Sequence, residues 1–357
     1  LTDVSDFVPE DESTGQVRSG YRFDEERLSE WMAANVRGYS GPLQVLQFKG
    51  GQSNPTYKLI TPEKSYVLRR KPPGPLLKGA HAIEREVRVL SALKTVDFPV
   101  ARVHGECADE AIIGSAFYVM DMVDGRIFWD ANFPGVAREQ RPRYFDAMNA
   151  TLARLHMIDP RAIGLADFGR PSNYCRRQIE RWSSQYLQDA VAGRDPNMDR
   201  LVAWLPENVP AEEGESSLVH GDYRCDNLIF HATEPTVVAV LDWELSTLGD
   251  PLSDFAYHAM MYQMPPHIVA GLLGADLERS NIPSQRQYVD AYCQHTGRKS
   301  FPHFNFYLVF NLFRLAAIFH GIKGRVARGT ASSAQAAERA RSFPELAALA
   351  WSQVSGR

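Results

Sequence analysis

The chain has 357 residues, 44% of them hydrophobic and 23% charged, with a formal net charge of −4. This is the composition of an ordinary soluble protein, with enough material for one large α/β unit or two smaller ones. The mild acidity argues against nucleic-acid binding, which needs a basic surface to neutralise phosphates, so no nucleic-acid partner is expected.

Residues 1–20 are polar and acidic. They lack the basic start and apolar run of a signal peptide and are expected to form a flexible arm. A helical spacing follows at Leu28, Trp31, Met32 and Val36. Strand-like runs then cover Leu43–Phe48, Thr56–Ile60 and Tyr66–Lys71, with turns between them and Pro72-Pro73-Gly74-Pro75 after the third. A helix is predicted over Ala82–Leu93, with Ile83, Val87, Leu90 and Leu93 on one face. A buried strand is predicted over Ala116–Val123, closed by Asp124-Gly125. Beyond residue 126 the pattern turns mostly helical, as in Arg143–His156, but Val219–Asp222 and Val237–Leu241 read as short buried strands. The division expected is an arm at 1–20, an N-lobe at 21–123 and a C-lobe at 124–357. The fold class expected is α+β, with a five-stranded antiparallel N-lobe sheet.

The four cysteines, Cys107, Cys175, Cys225 and Cys293, form no Cys-x-x-Cys pair and match no zinc spacing. Their small number points to a reducing cytoplasm. The most apolar stretch, Phe304–Ile322, contains Asn305, Asn311, Arg314 and His320. That suits a packed core helix better than a membrane span, so no membrane partner is expected.

The chemistry is concentrated in Leu218-Val219-His220-Gly221-Asp222-Tyr223-Arg224-Cys225-Asp226-Asn227, followed by Val240-Leu241-Asp242-Trp243-Glu244. A kinase catalytic loop carries an Asp that takes the acceptor hydroxyl's proton. An Asn five residues later and a further Asp hold magnesium. Here Asp222 matches the base, and Asn227 and Asp242 match the metal ligands. Magnesium is a hard ion that takes oxygen ligands, which an amide and a carboxylate supply. Asp and Asn singly read as turn residues. The set, with buried strands either side, does not.

These residues resemble the aminoglycoside phosphotransferase and choline kinase-like family. The resemblance extends to Thr247-Leu248-Gly249-Asp250-Pro251-Leu252-Ser253-Asp254-Phe255-Ala256, and to Leu155-His156 and Gly164-Leu165-Ala166-Asp167-Phe168-Gly169-Arg170-Pro171. The latter two are typical of a subgroup that is also found fused ahead of acyl-CoA dehydrogenase domains. The resemblance implies a protein-kinase-like two-lobe fold, ATP and Mg²⁺, and transfer of the γ-phosphoryl group to a small-molecule alcohol. It places Arg69 at the strand position that grips the triphosphate, where kinases carry Lys; Arg70 and Lys71 stay open as alternatives. The paired helix acid is Glu86, with Glu84 its competitor. Strand alternation puts Val67 on the Arg69 face, where it could line the base pocket. Gly50-Gly51-Gln52-Ser53-Asn54 lies where a phosphate-covering loop belongs, with Gly50, Gly51 and Ser53 as nucleotide contacts. Met120 and Met122 fall in the expected inter-lobe hinge. His220, Asp250, Asp254 and His156 read as structural braces and Cys225 as unreactive.

From Phe255 to Arg357 there are eleven Lys/Arg and five Asp/Glu. Arginine suits phosphate and carboxylate, so this basic segment favours an anionic acceptor such as a hydroxyacyl derivative. Arg314 and Arg325 are the candidate acceptor ligands, and for Arg314 a structural partner such as Asp254 is the alternative. An aminoglycoside kinase and a nucleotide-binding pseudokinase or scaffold are the competing readings. A protein kinase is disfavoured because no Ala-Pro-Glu follows Asp242. The oligomeric state is open.

Overall fold

The structure, a computed structural model, describes residues 13–49, 54–72, 82–211, 216–331 and 336–354. Its strands are β1 (Thr14–Gly15), β2 (Gln44–Phe48), β3 (Thr56–Ile60), β4 (Ser65–Arg70), β5 (Val103–Cys107), β6 (Phe117–Asp121), β7 (Ser217–Val219), β8 (Leu228–Phe230), β9 (Val237–Val240) and β10 (Thr247–Gly249). Its α-helices are α1 (Glu25–Asn35), α2 (Ile83–Lys94), α3 (Glu110–Ile113), α4 (Arg141–Met157), α5 (Tyr174–Gln188), α6 (Pro196–Glu207), α7 (Pro251–Ala259), α8 (Leu277–Ser280), α9 (Gln285–Thr296), α10 (Phe304–Ala327) and α11 (Ala336–Val354).

Contacts divide the chain into two compact units. The first joins the described residues up to Ile127 with Leu228–Glu244. The second joins Phe128–Asn227 with the residues from Leu245 onward. The first unit therefore runs past the expected limit at Val123 and takes in a distant hairpin. Backbone pairing explains this: β8 pairs with β9, Arg126 and Phe230 exchange a bridge, and the Val240 N–H donates to Pro99 O at 2.8 Å.

The first unit holds an antiparallel sheet of order β1-β2-β3-β4-β6-β5. It has six strands, one more than expected, because Thr14 and Gly15 pair with Phe48 and Gln47. Ladder bonds are made by main chain, so a polar, acidic segment that reads as an arm still pairs here. The Arg18 N–H also donates to Gln47 Oε1 at 3.0 Å. Asp24 caps α1 by accepting from the Arg27 N–H at 3.0 Å, and Leu28, Met32 and Val36 then recur on one side. They pack with Tyr57, Leu59, Tyr66, Leu68, Phe117 and Val119 into the core on that face of the sheet.

In the second unit α10 packs against α5, α7 and α11. By length and composition alone α10 could cross a membrane, yet 89% of its most apolar window is buried inside the chain. That is the behaviour of a core helix, as its polar insertions predict. Leu312 is wholly buried in α10, so truncating it removes buried apolar contacts and opens a cavity. Leu312→Ala is expected to cost about 2–5 kcal/mol, read as a lowered midpoint in urea unfolding.

Candidate active site

In the first unit the alternation of β4 sorts the three candidate cations. Arg70 points into the α1-side core. It is 2% exposed, donates to Ile113 O at 2.9 Å and lies 5.1 Å from the Phe23 ring centroid. Lys71 pairs with the exposed Glu84 at 3.0 Å. Arg69 alone of the three reaches Glu86, at 3.0 Å from Oε2. It also reaches Asp242 Oδ1 at 2.8 Å and Glu244 Oε2 at 3.6 Å. Burial works against the charge on Arg69, but Glu86, Tyr118, Asp242 and Glu244 together raise its pKa above the ordinary arginine value.

Glu86 is buried on α2 and held at both oxygens: Asn54 Nδ2 donates to Oε1 and the Tyr118 hydroxyl to Oε2, each at 2.9 Å. Burial pushes its carboxyl above the usual range despite the opposing pull of Arg69. Tyr118 is the ladder partner of Arg69, and Met120 that of Val67, so β6 carries the neighbours of both β4 residues. Met122 follows β6. Gly50, Gly51 and Ser53 lie outside the described residues.

Asp242 follows β9 with a φ of 61°. A non-glycine residue in this region stores backbone strain of order 1–3 kcal/mol, found most often at functional sites. The next residue anchors it: Trp243 Nε1 donates to Val240 O at 2.9 Å and the indole packs edge-on against Phe98.

In the second unit the expected strand over Val219–Asp222 stops at Val219. Gly221 adopts a φ of 86°, where a Cβ would sit 2.9 Å from Leu245 O, so the extended chain turns and Asp222 leaves the strand. The loop is braced from α7. Asp254 Oδ2 accepts from the His220 N–H at 2.7 Å and Oδ1 from the Gly221 N–H at 2.8 Å. His156 Nε2 lies 3.1 Å from Oδ2, and its Nδ1 lies 2.7 Å from the Tyr292 hydroxyl. Burial alone would raise the Asp254 carboxyl; the hydrogen bonds and charge of His156 and the His220 amide hold it below the usual range. Asp250 caps α7, accepting from the Leu252 N–H at 2.9 Å. His220 Nδ1 accepts from the Asp222 N–H at 3.2 Å. Burial pushes the Cys225 thiol up to about 12, which keeps it protonated and unreactive.

The Asp222 carboxylate accepts from the Tyr257 hydroxyl at 2.5 Å through Oδ1 and from Asn227 Nδ2 at 3.2 Å through Oδ2. The same amide donates to Asp222 O at 2.8 Å. Arg224 Nε lies 3.6 Å from Asp222 Oδ1, while its Nη2 pairs with Asp226 at 2.5 Å. A small, mainly apolar hollow opens beside Arg224 and Tyr257, lined further by Met260, Met261, Met264 and Val269.

The two arginines proposed for the acceptor sit otherwise than the sequence suggests. Arg314 is buried, donates to Gly221 O and lies over the Tyr257 ring at 4.8 Å; it ion-pairs with neither Asp254 nor any other described carboxylate. Arg325 lies in the last turn of α10, which runs to Ala327. The glycines beside it make room for α5: a Cβ at Gly324 would sit 2.1 Å from Asp189 Oδ2. Asn54, Tyr118, Glu244 and Tyr257 are given no role by the sequence. Asn54 and Glu244 lie inside its motif segments and Tyr118 and Tyr257 outside them, and each acts through a partner far away in sequence.

His258, next to Tyr257, is buried against the Tyr223 and Tyr288 rings, 2.7 Å from the Tyr288 hydroxyl, and burial lowers its pKa to about 4. The unfolded imidazole titrates near 6.5, so its contribution to stability is complete above that pH. It is lost as pH falls through 4, because the unfolded state takes up the proton first. The unfolding free energy is expected to fall across this window, and His258→Asn to flatten that part of the profile.

A model of the phosphotransferase enzyme family matches residues 44–291. Acyl-CoA dehydrogenase family member 10 of Mus musculus is 41% identical over 342 residues, covering 95% of this chain and 32% of the mouse protein. Family member 11 of Gallus gallus is 42% identical over 343 residues, covering 94% of this chain and 44% of the chicken protein. The chain thus spans less than half the length of these curated relatives. A solved structure from Ralstonia eutropha, provisionally assigned as an aminoglycoside phosphotransferase, is 48% identical with a TM-score of 0.85, covering 94% of this chain and 99% of that one. Choline kinase from Cryptosporidium parvum, 11% identical, shares the fold at a TM-score of 0.57, covering 93% and 99%. The α+β, protein-kinase-like fold class is thereby established, and the chain belongs to the phosphotransferase enzyme family.

Proposed function

We propose that this chain moves the γ-phosphoryl group of ATP to a hydroxyl of a small anionic metabolite, of which a hydroxyacyl derivative is the leading class. The observation that carries the reading is the Arg69 cluster: one guanidinium joins the helix acid Glu86 to Asp242, so the candidate phosphate residue and one of the two candidate metal residues meet in the first unit. In this reading Arg69 neutralises triphosphate charge and Asp222 takes the proton of the attacking hydroxyl.

Asn227 and Asp242 suit magnesium. Each offers a hard oxygen, Asn227 Oδ1 and Asp242 Oδ2, that accepts no hydrogen bond among the described residues. Bound magnesium would supply charge neutralisation on the transferring phosphoryl group.

The acceptor class rests on the basic segment from Phe255 to Arg357 and on the hollow beside Arg224, whose lining of Met260, Met261 and Met264 suits an apolar arm. The acyl-CoA dehydrogenase names of the longer relatives agree with an acyl substrate. The reaction is assigned to the cytoplasm, with which the free and buried state of all four cysteines accords. The presence of Asp222, Asn227 and Asp242 favours an active enzyme over a pseudokinase. The Ralstonia structure keeps an aminoglycoside acceptor as the second reading.

MgATP at a hundredfold its Kd stabilises a protein by roughly 2.7 kcal/mol, so it should raise the melting temperature, and Asp242→Ala should largely abolish the rise. An undiminished rise in that variant would remove Asp242 from the metal site. A screen of hydroxyl-bearing metabolites should find an anionic acceptor and poor turnover of kanamycin-like polycations. On the acceptor found, Asp222→Asn should keep MgATP binding and lose about 10²–10⁴-fold in turnover. Efficient phosphorylation of an aminoglycoside would overturn the acceptor class and leave the phosphotransferase standing.

A further inference from the structure

Arg314 is a buried cation with no carboxylate partner among the described residues. Its two contacts both lead to Asp222: it donates to the carbonyl of Gly221, the residue before Asp222, and it lies over the ring of Tyr257, whose hydroxyl meets the Asp222 carboxylate at 2.5 Å. Tyr257 is 5% exposed and sits one helical turn after Asp254 on α7, so a single helix holds the loop backbone through Asp254 and the Asp222 side chain through Tyr257. Without the hydroxyl, the side-chain restraints on Asp222 among the described residues would be Asn227 and the more distant Arg224.

We infer that Tyr257, clamped by Arg314, is a positioning residue that fixes the Asp222 carboxylate by occupying Oδ1. Oδ2, which accepts from Asn227 Nδ2 at 3.2 Å and keeps a second lone pair, is left as the oxygen that meets the acceptor. The ring-face contact keeps Tyr257 from swinging away, and the Arg314 bond to Gly221 holds the peptide that carries Asp222, so both ends of the Asp222 geometry share one guanidinium. The inference rests on the assignment of Asp222 as the base, and the experiment separates the two.

The assay is slow hydrolysis of MgATP, in which water takes the acceptor's place, followed for the wild type, Tyr257→Phe, Asp222→Asn and the double variant. Tyr257→Phe is expected to lower kcat by about 10- to 100-fold, the scale of a misplaced catalytic group, with KM for MgATP within about twofold. In the Asp222→Asn background the same substitution should do nothing further, because a residue acting only through the carboxylate has no second route. Arg314→Lys, which keeps the charge and loses the flat fork, should lower kcat in the same direction with KM for MgATP unchanged. A crystal structure of Tyr257→Phe should show the Asp222 carboxylate turned from its wild-type rotamer. Near-wild-type kcat in Tyr257→Phe, an additive loss in the double variant, or an unmoved Asp222 would each overturn the inference. Near-wild-type kcat in Asp222→Asn would instead overturn the assignment of Asp222 as the base.

Discussion

The second unit depends on one buried carboxylate. Asp254 is 4% exposed, and taking a carboxylate out of water costs several kcal/mol unless hydrogen bonds replace the lost solvent. Here two backbone N–H groups and His156 replace it, and the two amides belong to the residues immediately before Asp222. The loop cannot move as a unit without leaving that charge unsatisfied. The positive φ of Gly221 is part of the same constraint, since it turns consecutive amides of the loop toward one acceptor. The Asp222 position is therefore set by the electrostatics of a residue 32 positions away, not by the loop's own propensity.

The first unit uses the opposite arrangement, a buried cation among carboxylates. Arginine stands at position 69 where kinases carry lysine. The geometry gives it a use. A planar fork presents several N–H groups in fixed directions, so it can face Glu86 through Nε while meeting Asp242 and Glu244 through Nη2. A lysine ammonium is a single point and would have to choose. The extra acid explains the choice further: with three carboxylates near one site, a cation that stays charged when buried is worth more than a compact one.

Much of this was legible in the sequence. The catalytic-loop residues occupy one short segment whose spacing has a chemical meaning. Arg69 and Glu86 each sit on an element whose periodicity shows through, so one alternation and one helix pitch limit which side chains can meet. The braces Asp250 and Asp254 were readable as anchors, and His156 as a core histidine. What was not legible depended on tertiary pairing. Tyr257 is 35 positions from Asp222, Tyr118 and Asn54 are each 32 from Glu86, and nothing local distinguishes them from core residues. The hairpin of β8 and β9 joined the first unit for the same reason, since its backbone partners at Pro99 and Arg126 lie more than a hundred positions upstream. Strand β5, with one fully buried residue, offered no apolar run to notice.

Arg314 shows how a correct physical premise can lead to the wrong partner. A charge in an apolar helix does need compensation, and from sequence the natural candidate is an acid. Compensation for a guanidinium is broader than that. Its edge donates to carbonyls, and its face is weakly hydrated and lies well on an aromatic ring. In α10 the edge meets Gly221 O and the face meets Tyr257, while the charges of Asp254 and Asp222 act on it without direct contact and help to raise its pKa against the pull of burial. An ion pair with Asp254 would have drawn that carboxylate from the loop amides. Holding the cation on a carbonyl and a ring leaves both oxygens of Asp254 for the backbone, so the helix can supply positive charge near Asp222 without competing for the brace that positions it.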